Sequence, residues 1–211
     1  MERQKATQLT GSIILLIIVH LFIIVSLLIN NQAILHQFFP ISTLCFLILL
    51  FAFHKQWSLR NALTMMAIVL AGFLIELIAV NTGNIFGVFQ YGASMGVKIN
   101  GIPLITGIQW LLLVYITHLT VIKIGITRPW IELTGAGLMT AMDYLIEPVA
   151  AKFNLWQWEN DYIPMQNFVA WFYISFFMHF YINRVKPVSN NKIAIPTFII
   201  LIIFYVILNI I

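Results

Sequence analysis

Polar positions in this chain are few, and they fall between long blocks of Leu, Ile, Val and Phe. Seven such blocks run at about 10–30, 39–54, 61–80, 103–122, 130–147, 166–183 and 193–211. A helix needs about 20 mostly apolar residues to cross a hydrocarbon core roughly 30 Å thick. The pattern therefore predicts an all-α, polytopic membrane bundle of about seven transmembrane helices. The second block is short, and the fifth carries Gly135, Gly137 and two carboxylates. Neither an internal repeat nor a low-complexity segment interrupts the series.

Composition strengthens this picture. Of the 211 residues, 61% are hydrophobic and 9% charged, against about a quarter charged in a soluble domain. Nothing is polar enough to cover a separate soluble domain, so residues 1–211 are expected to form a single transmembrane domain. The basic residues then give direction. With the N-terminus inside, the inner segments hold Arg3, Lys5, Lys55, Arg60, Lys123, Arg128, Arg184, Lys186 and Lys192, nine of the eleven, and the outer side holds Lys98 and Lys152. Such an alternation follows the positive-inside rule and predicts an N-in/C-out chain. The net charge of +4 is thus topogenic and does not point to nucleic acid. Trp57 and Trp130, each beside an inner basic loop, fit an interfacial belt. The first apolar run is longer than a signal-peptide core and has no convincing cleavage site after it, so it is expected to remain as a span. Cys45 is alone, and no intrachain disulfide is possible.

Two outer connections differ from solvated linkers. Residues 81–102 hold five of the eleven glycines interleaved with Ile85, Phe86, Phe89 and Tyr91; residues 150–166 combine Trp156, Trp158 and Tyr162 with Glu159 and Asp161. Glycine allows tight turns and close approach, while the aromatic residues ask for burial. Both segments are expected to form interfacial or re-entrant caps, a kind of backbone tolerated only against protein or water.

The acidic residues carry the sharpest chemical signal. Glu2 and Glu132 lie at inner ends and Glu159 and Asp161 in the outer loop, but Glu76, Asp143 and Glu147 fall within or at the ends of spans, towards the outer leaflet. A carboxylate in a span costs at least a few kcal/mol at mid-depth and points to function by default. Asp143 and Glu147, four apart, share one helical face, and Pro148 is expected to end or kink the helix there. The plainer reading pairs these acids with Lys98, Lys152 or loop amides. Polar positions on span six (Asn167, Trp171, Ser175, His179) and span four (Thr106, Trp110, Thr117) mark one face of each. Small and polar residues in membrane helices usually serve packing, which suits Ser175, Thr106 and Thr117; Asn167 and Trp171, just after the second cap, are the better site candidates. His20, His118 and His179 sit in separate spans and give no metal-ligand spacing, and no phosphate loop, dinucleotide fingerprint, serine elbow or DDxxD motif is present.

The stretch Glu76-x6-Gly83-x3-Gly87-x3-Tyr91, then Gly101-Ile102-Pro103 and Trp110, resembles the first signature of the carotenoid-biosynthesis membrane family that includes bisanhydrobacterioruberin hydratase and bacterial carotenoid 1,2-hydratases. Asp143-x3-Glu147-Pro148, Trp156-x-Trp158, Tyr162, Pro164, Asn167-Phe168 and Trp171 resemble its second signature. Departures are Glu147 where aspartate is frequent, Ala170 where glycine is, and Ile163 in place of the glycine before Pro164. The resemblance implies a cofactor-independent addition of water across the terminal C1=C2 bond of an acyclic carotenoid, in a prokaryotic cytoplasmic membrane. Membrane lipids and other carotenoid-pathway enzymes are the implied partners. A carboxylic acid in apolar surroundings keeps its proton at neutral pH, and aromatic faces stabilise a carbocation. On this reading Asp143 is the acid, Glu76 or Glu147 positions water, and Tyr91, Trp110, Trp156, Trp158, Tyr162, Asn167 and Trp171 bind substrate. The competing readings are a cyclase or isomerase acting through the same cation, and a non-catalytic small transporter or pigment-binding protein.

Overall fold

The computed structural model describes residues 2–29, 32–55, 57–185 and 190–211. Lys186 of the inner basic set lies outside the described residues, as do the side chains of Arg3, Lys5 and His36. The seven apolar blocks become α1 (Glu2–Leu28), α2 (Gln32–Ala52), α3 (Leu59–Thr82), α4 (Ile105–Lys123), α5 (Trp130–Lys152), α6 (Met165–Val185) and α7 (Ala194–Ile210). Between them lie four short strands: β1 (Phe89–Tyr91), β2 (Lys98–Ile99), β3 (Ile102–Pro103) and β4 (Trp156–Trp158). The fold is an all-α helical bundle of a membrane protein.

The helices are apolar on the outside, which is the arrangement lipid demands. On α3, Leu63, Met66, Leu70, Leu74 and Ile78 form an exposed stripe at helical spacing, while Met65, Ile68, Gly72, Glu76 and Ala79 are buried on the opposite face. In water such a stripe would be a large exposed apolar patch; in a bilayer it is the solvated face, and the carboxylate belongs inside. Ala6–Ser26, Leu59–Thr82 and Ile105–Lys123 are long and apolar enough to cross a membrane by length and composition alone. At 1.5 Å per residue, α5 is also long enough, but it spends apolar character on Glu132, Asp143 and Glu147. Trp57 and Trp130 are exposed, as interfacial residues should be.

The bundle is built around α4. Its residues from Thr106 to Val121 are almost all buried, and it packs against α2, α3, α5, α6 and α7. By contrast, α1 packs on α2 and α7 at the periphery. Small residues set the close approaches: Gly72 lets the Trp110 ring lie against α3, and Gly135 makes room for the His179 ring against α5.

Pro148 does not end its helix. α5 continues to Lys152, because Val149 and Ala150 are fully buried and Lys152 Nζ donates to the Leu208 carbonyl at 3.3 Å. These contacts offset the hydrogen bond that proline cannot make.

The two outer connections are one structure. β1 and β4 pair antiparallel, with Phe89 opposite Trp158, Gln90 opposite Gln157 and Tyr91 opposite Trp156. Both strands read aromatic-Gln-aromatic. Side chains alternate faces along a strand, so Gln90 and Gln157 are exposed together while the four rings turn towards the bundle. β2 and β3 form a second hairpin across Asn100-Gly101, both with positive φ, as a two-residue Asn-Gly turn requires.

Gly92 follows β1 and donates its N–H to the Leu155 carbonyl at 2.8 Å. A Cβ there would land on the Asn154 carbonyl oxygen, which is backbone and cannot swing away. Gly92→Ala is therefore expected to separate the two connections and to cost about 1–3 kcal/mol or more, measured as a lower apparent melting temperature in detergent.

Candidate active site

The paired connections form a lid over the ends of α3, α4, α5 and α6. Beneath it lies a cavity of about 90 Å³ lined by Glu76, Asp143, Glu147 and Asn167, with Tyr91, Trp110, Trp156, Trp158 and Trp171 around them. The three carboxylates that the sequence placed in spans thus meet in one space. Each is nearly sealed: Glu76 is 5%, Asp143 1% and Glu147 2% exposed.

Neutral donors hold them. Glu147 Oε2 accepts from the indole N–H of Trp158 at 2.7 Å and of Trp156 at 3.1 Å. Asn167 Nδ2 donates to Glu147 Oε1 at 3.1 Å and to Asp143 Oδ2 at 2.7 Å. Glu76 Oε1 accepts from the Trp110 indole at 2.9 Å, and its Oε2 from the Tyr91 hydroxyl at 2.7 Å. Both oxygens of Glu76 and of Glu147 are therefore engaged. Asp143 differs: among the described residues, only its Oδ2 has a protein partner.

Lysine plays no direct part in this network. Lys98 Nζ donates to the Tyr91 carbonyl at 2.7 Å and Lys152 to Leu208, so the ion pairs of the plainer reading do not form. Among the described residues, neither Lys nor Arg lines the cavity. Burial and the adjacent Glu76 hold the Tyr91 phenol well above its ordinary value, which keeps the hydroxyl a donor. Tyr91→Phe is expected to leave Glu76 Oε2 without its donor and to cost about 1.5–3 kcal/mol, the range for a hydrogen bond to a charged group. The fall in melting temperature measures it.

Aromatic faces complete the walls. Trp110 and Trp171 stack with centroids 4.2 Å apart and planes at 17°. Phe89 lies 5.0 Å from Trp158, and Phe86 lines the same space. Gln166 donates to the Asn84 and Ile85 carbonyls and so ties the start of α6 to the first connection.

Of the expected binding residues, Tyr162 is not in the cavity. It is 69% exposed, because the chain turns at Asn160 and Asp161, both with positive φ, and carries the ring outward. Ser175, His179 and Thr117 lie deeper and serve packing. Thr117 Oγ1 bonds the Leu113 carbonyl at 2.6 Å and His179 Nε2 at 3.0 Å. Glu132, expected at an inner end, is buried and accepts from Asn183 Nδ2 at 2.7 Å. Sequence reasoning missed His20, Ser42, Thr43, Gln109 and Tyr205 as cavity residues. They are scattered polar side chains in apolar helices, and no motif marks them.

A family model described as carotenoid biosynthesis protein matches residues 36–211, which is most of the chain. The chain belongs to the carotenoid biosynthesis protein family. The matched stretch begins within α2 and contains the rest of that helix, α3 to α7, the three cavity carboxylates and both strands of the lid. No curated protein and no solved structure matches the chain closely enough to compare.

Proposed function

We propose that this protein is a carotenoid hydratase that adds water to the terminal C1=C2 bond of an acyclic carotenoid. The observation that carries the reading is the cavity: three buried carboxyl groups in an aromatic-walled space, with no lysine or arginine lining it among the described residues. Protonating an unactivated alkene needs an acid in a dry site, and the tertiary cation that follows needs negative charge and π faces nearby.

The hydrogen bonds suggest how the roles divide. Glu147 accepts three hydrogen bonds and Glu76 two, the acceptor-only pattern of an ionised carboxylate. These two supply the countercharge. Asp143 Oδ1, with no protein partner, is the oxygen free to carry a proton into the cavity. Its O–H bond breaks as a C–H bond forms at C2 from the alkene's π pair, leaving C1 empty. The Trp110–Trp171 stack and the indoles of Trp156 and Trp158 then face the cation. Water closes on C1, gives a tertiary alcohol and loses one proton to the site.

The cavity suits an end group or a few waters, since one water needs roughly 10–15 Å³ of such space. The rest of the carotenoid, about as long as the roughly 30 Å hydrocarbon core is thick, would stay in the bilayer of the cytoplasmic membrane. Expression in cells that accumulate lycopene or γ-carotene tests the reading. A pigment heavier by one water is expected. An isomeric pigment of unchanged mass would point to cyclisation through the same cation, and no change with any acyclic carotenoid would remove the enzyme reading.

A further inference from the structure

The cavity has a second polar wall that the carboxylate chemistry leaves unused. It is built by α1, α2 and α7, where His20, Ser42, Thr43, Phe46, Phe204 and Tyr205 line it.

His20 is the basic side chain on that wall, and its tautomer follows from its contacts. Nδ1 lies 2.7 Å from the Leu16 carbonyl oxygen one turn earlier. A carbonyl only accepts, so Nδ1 carries the hydrogen, and in the neutral ring Nε2 holds a lone pair. Among the described residues Nε2 has no protein partner. The ring is fixed by Phe46 and Phe204, edge-on at 4.8 and 4.6 Å, and is 5% exposed. A histidine that only filled space would bury its second nitrogen against protein; this one borders the cavity. Beside it, the Ser42 and Thr43 hydroxyls each donate to the Phe39 carbonyl at 3.0 Å and keep lone pairs free to accept.

We propose that His20 holds the attacking water through Nε2 and takes its proton, acting from the wall of the same cavity that Asp143 lines. This rests on the hydratase reading and supplies the base that the reading leaves open. As the water oxygen forms its bond to C1, one of its O–H bonds breaks and that proton passes to Nε2. The proton returns to Asp143 through cavity water, so the net change is addition of one water. Because α1 precedes the residues matched by the family model, this base comes from a part of the chain that the family match does not describe.

The test uses the full-length protein in liposomes with an acyclic carotenoid, in D2O. Two signals are read: the water adduct, and deuterium entering the end group of recovered starting material when a protonated cation loses a proton again. The unaltered protein is expected to give the adduct. His20→Phe, which keeps an aromatic ring between Phe46 and Phe204, is expected to lose adduct by about 100-fold or more, as removal of a general base does, while deuterium exchange persists. His20→Gln, which can still hold water but not take its proton, should fall between. Adduct formation by His20→Phe at the unaltered rate would overturn the role. So would joint loss of adduct and exchange in a folded variant, which would make His20 structural. Absence of both signals from the unaltered protein would instead overturn the hydratase reading itself, and this role with it.

Discussion

Asp143→Asn is expected to lower hydration by about 100-fold or more, the usual contribution of a positioned general acid, while the protein inserts and melts as before. The asymmetry follows from the hydrogen bonds. An asparagine oxygen can still accept from Asn167 Nδ2, as Asp143 Oδ2 does at 2.7 Å, so the link between α5 and α6 survives. The proton on Oδ1 does not. Pigment turnover and thermal unfolding measured on the same preparation check this. Full turnover in the variant would move the acid to Glu76 or Glu147.

Glu147→Ala should behave in the opposite way and lose the fold of the lid along with activity. Its carboxylate takes the N–H groups of Trp156, Trp158 and Asn167, and Trp158 and Asn167 are buried. Leaving buried donors without acceptors costs about 1–3 kcal/mol each, so for these two a loss of at least about 2 kcal/mol is expected before any cavity effect. Glu147→Gln should recover only part of it, because the new amide N–H groups face donors. The measurements are the melting temperature and proteolytic cleavage within residues 150–166. Unchanged stability would show that the lid is pinned elsewhere, with the β1–β4 pairing as the remaining link.

The contrast between these two carboxylates shows what the sequence could and could not reveal. The seven helices were legible because lipid imposes a length and an apolar face on each span. Glu76, Asp143 and Glu147 were legible because a charge in such a span needs a reason. The aromatic residues of the two outer connections asked for burial, which the lid provides. The two caps were expected, but their pairing into one lid was not. β1 and β4 are three residues each, and 65 positions separate Tyr91 from Trp156, so such short segments carry little signal for a non-local pairing. The common aromatic-Gln-aromatic pattern was the available clue. Tyr162 was expected in the site from the family resemblance, but two positive-φ residues before it turn it out. Pro148 was expected to break α5; burial of Val149 and Ala150 outweighs its effect. His20 was read only as one histidine among separate spans, since nothing in a sequence shows that a peripheral helix closes a cavity begun four helices away.

The family places the protein in carotenoid biosynthesis, and the central claim beyond that is that water, not an alkene, captures the cation. The most direct measurement supplies purified protein in liposomes with an acyclic carotenoid in water enriched in oxygen-18, then reads the mass and position of label in the product. The account predicts one labelled hydroxyl per reacted end, at the tertiary C1, with no requirement for oxygen gas. An isomer free of label, or a hydroxyl whose oxygen does not come from water, would contradict it.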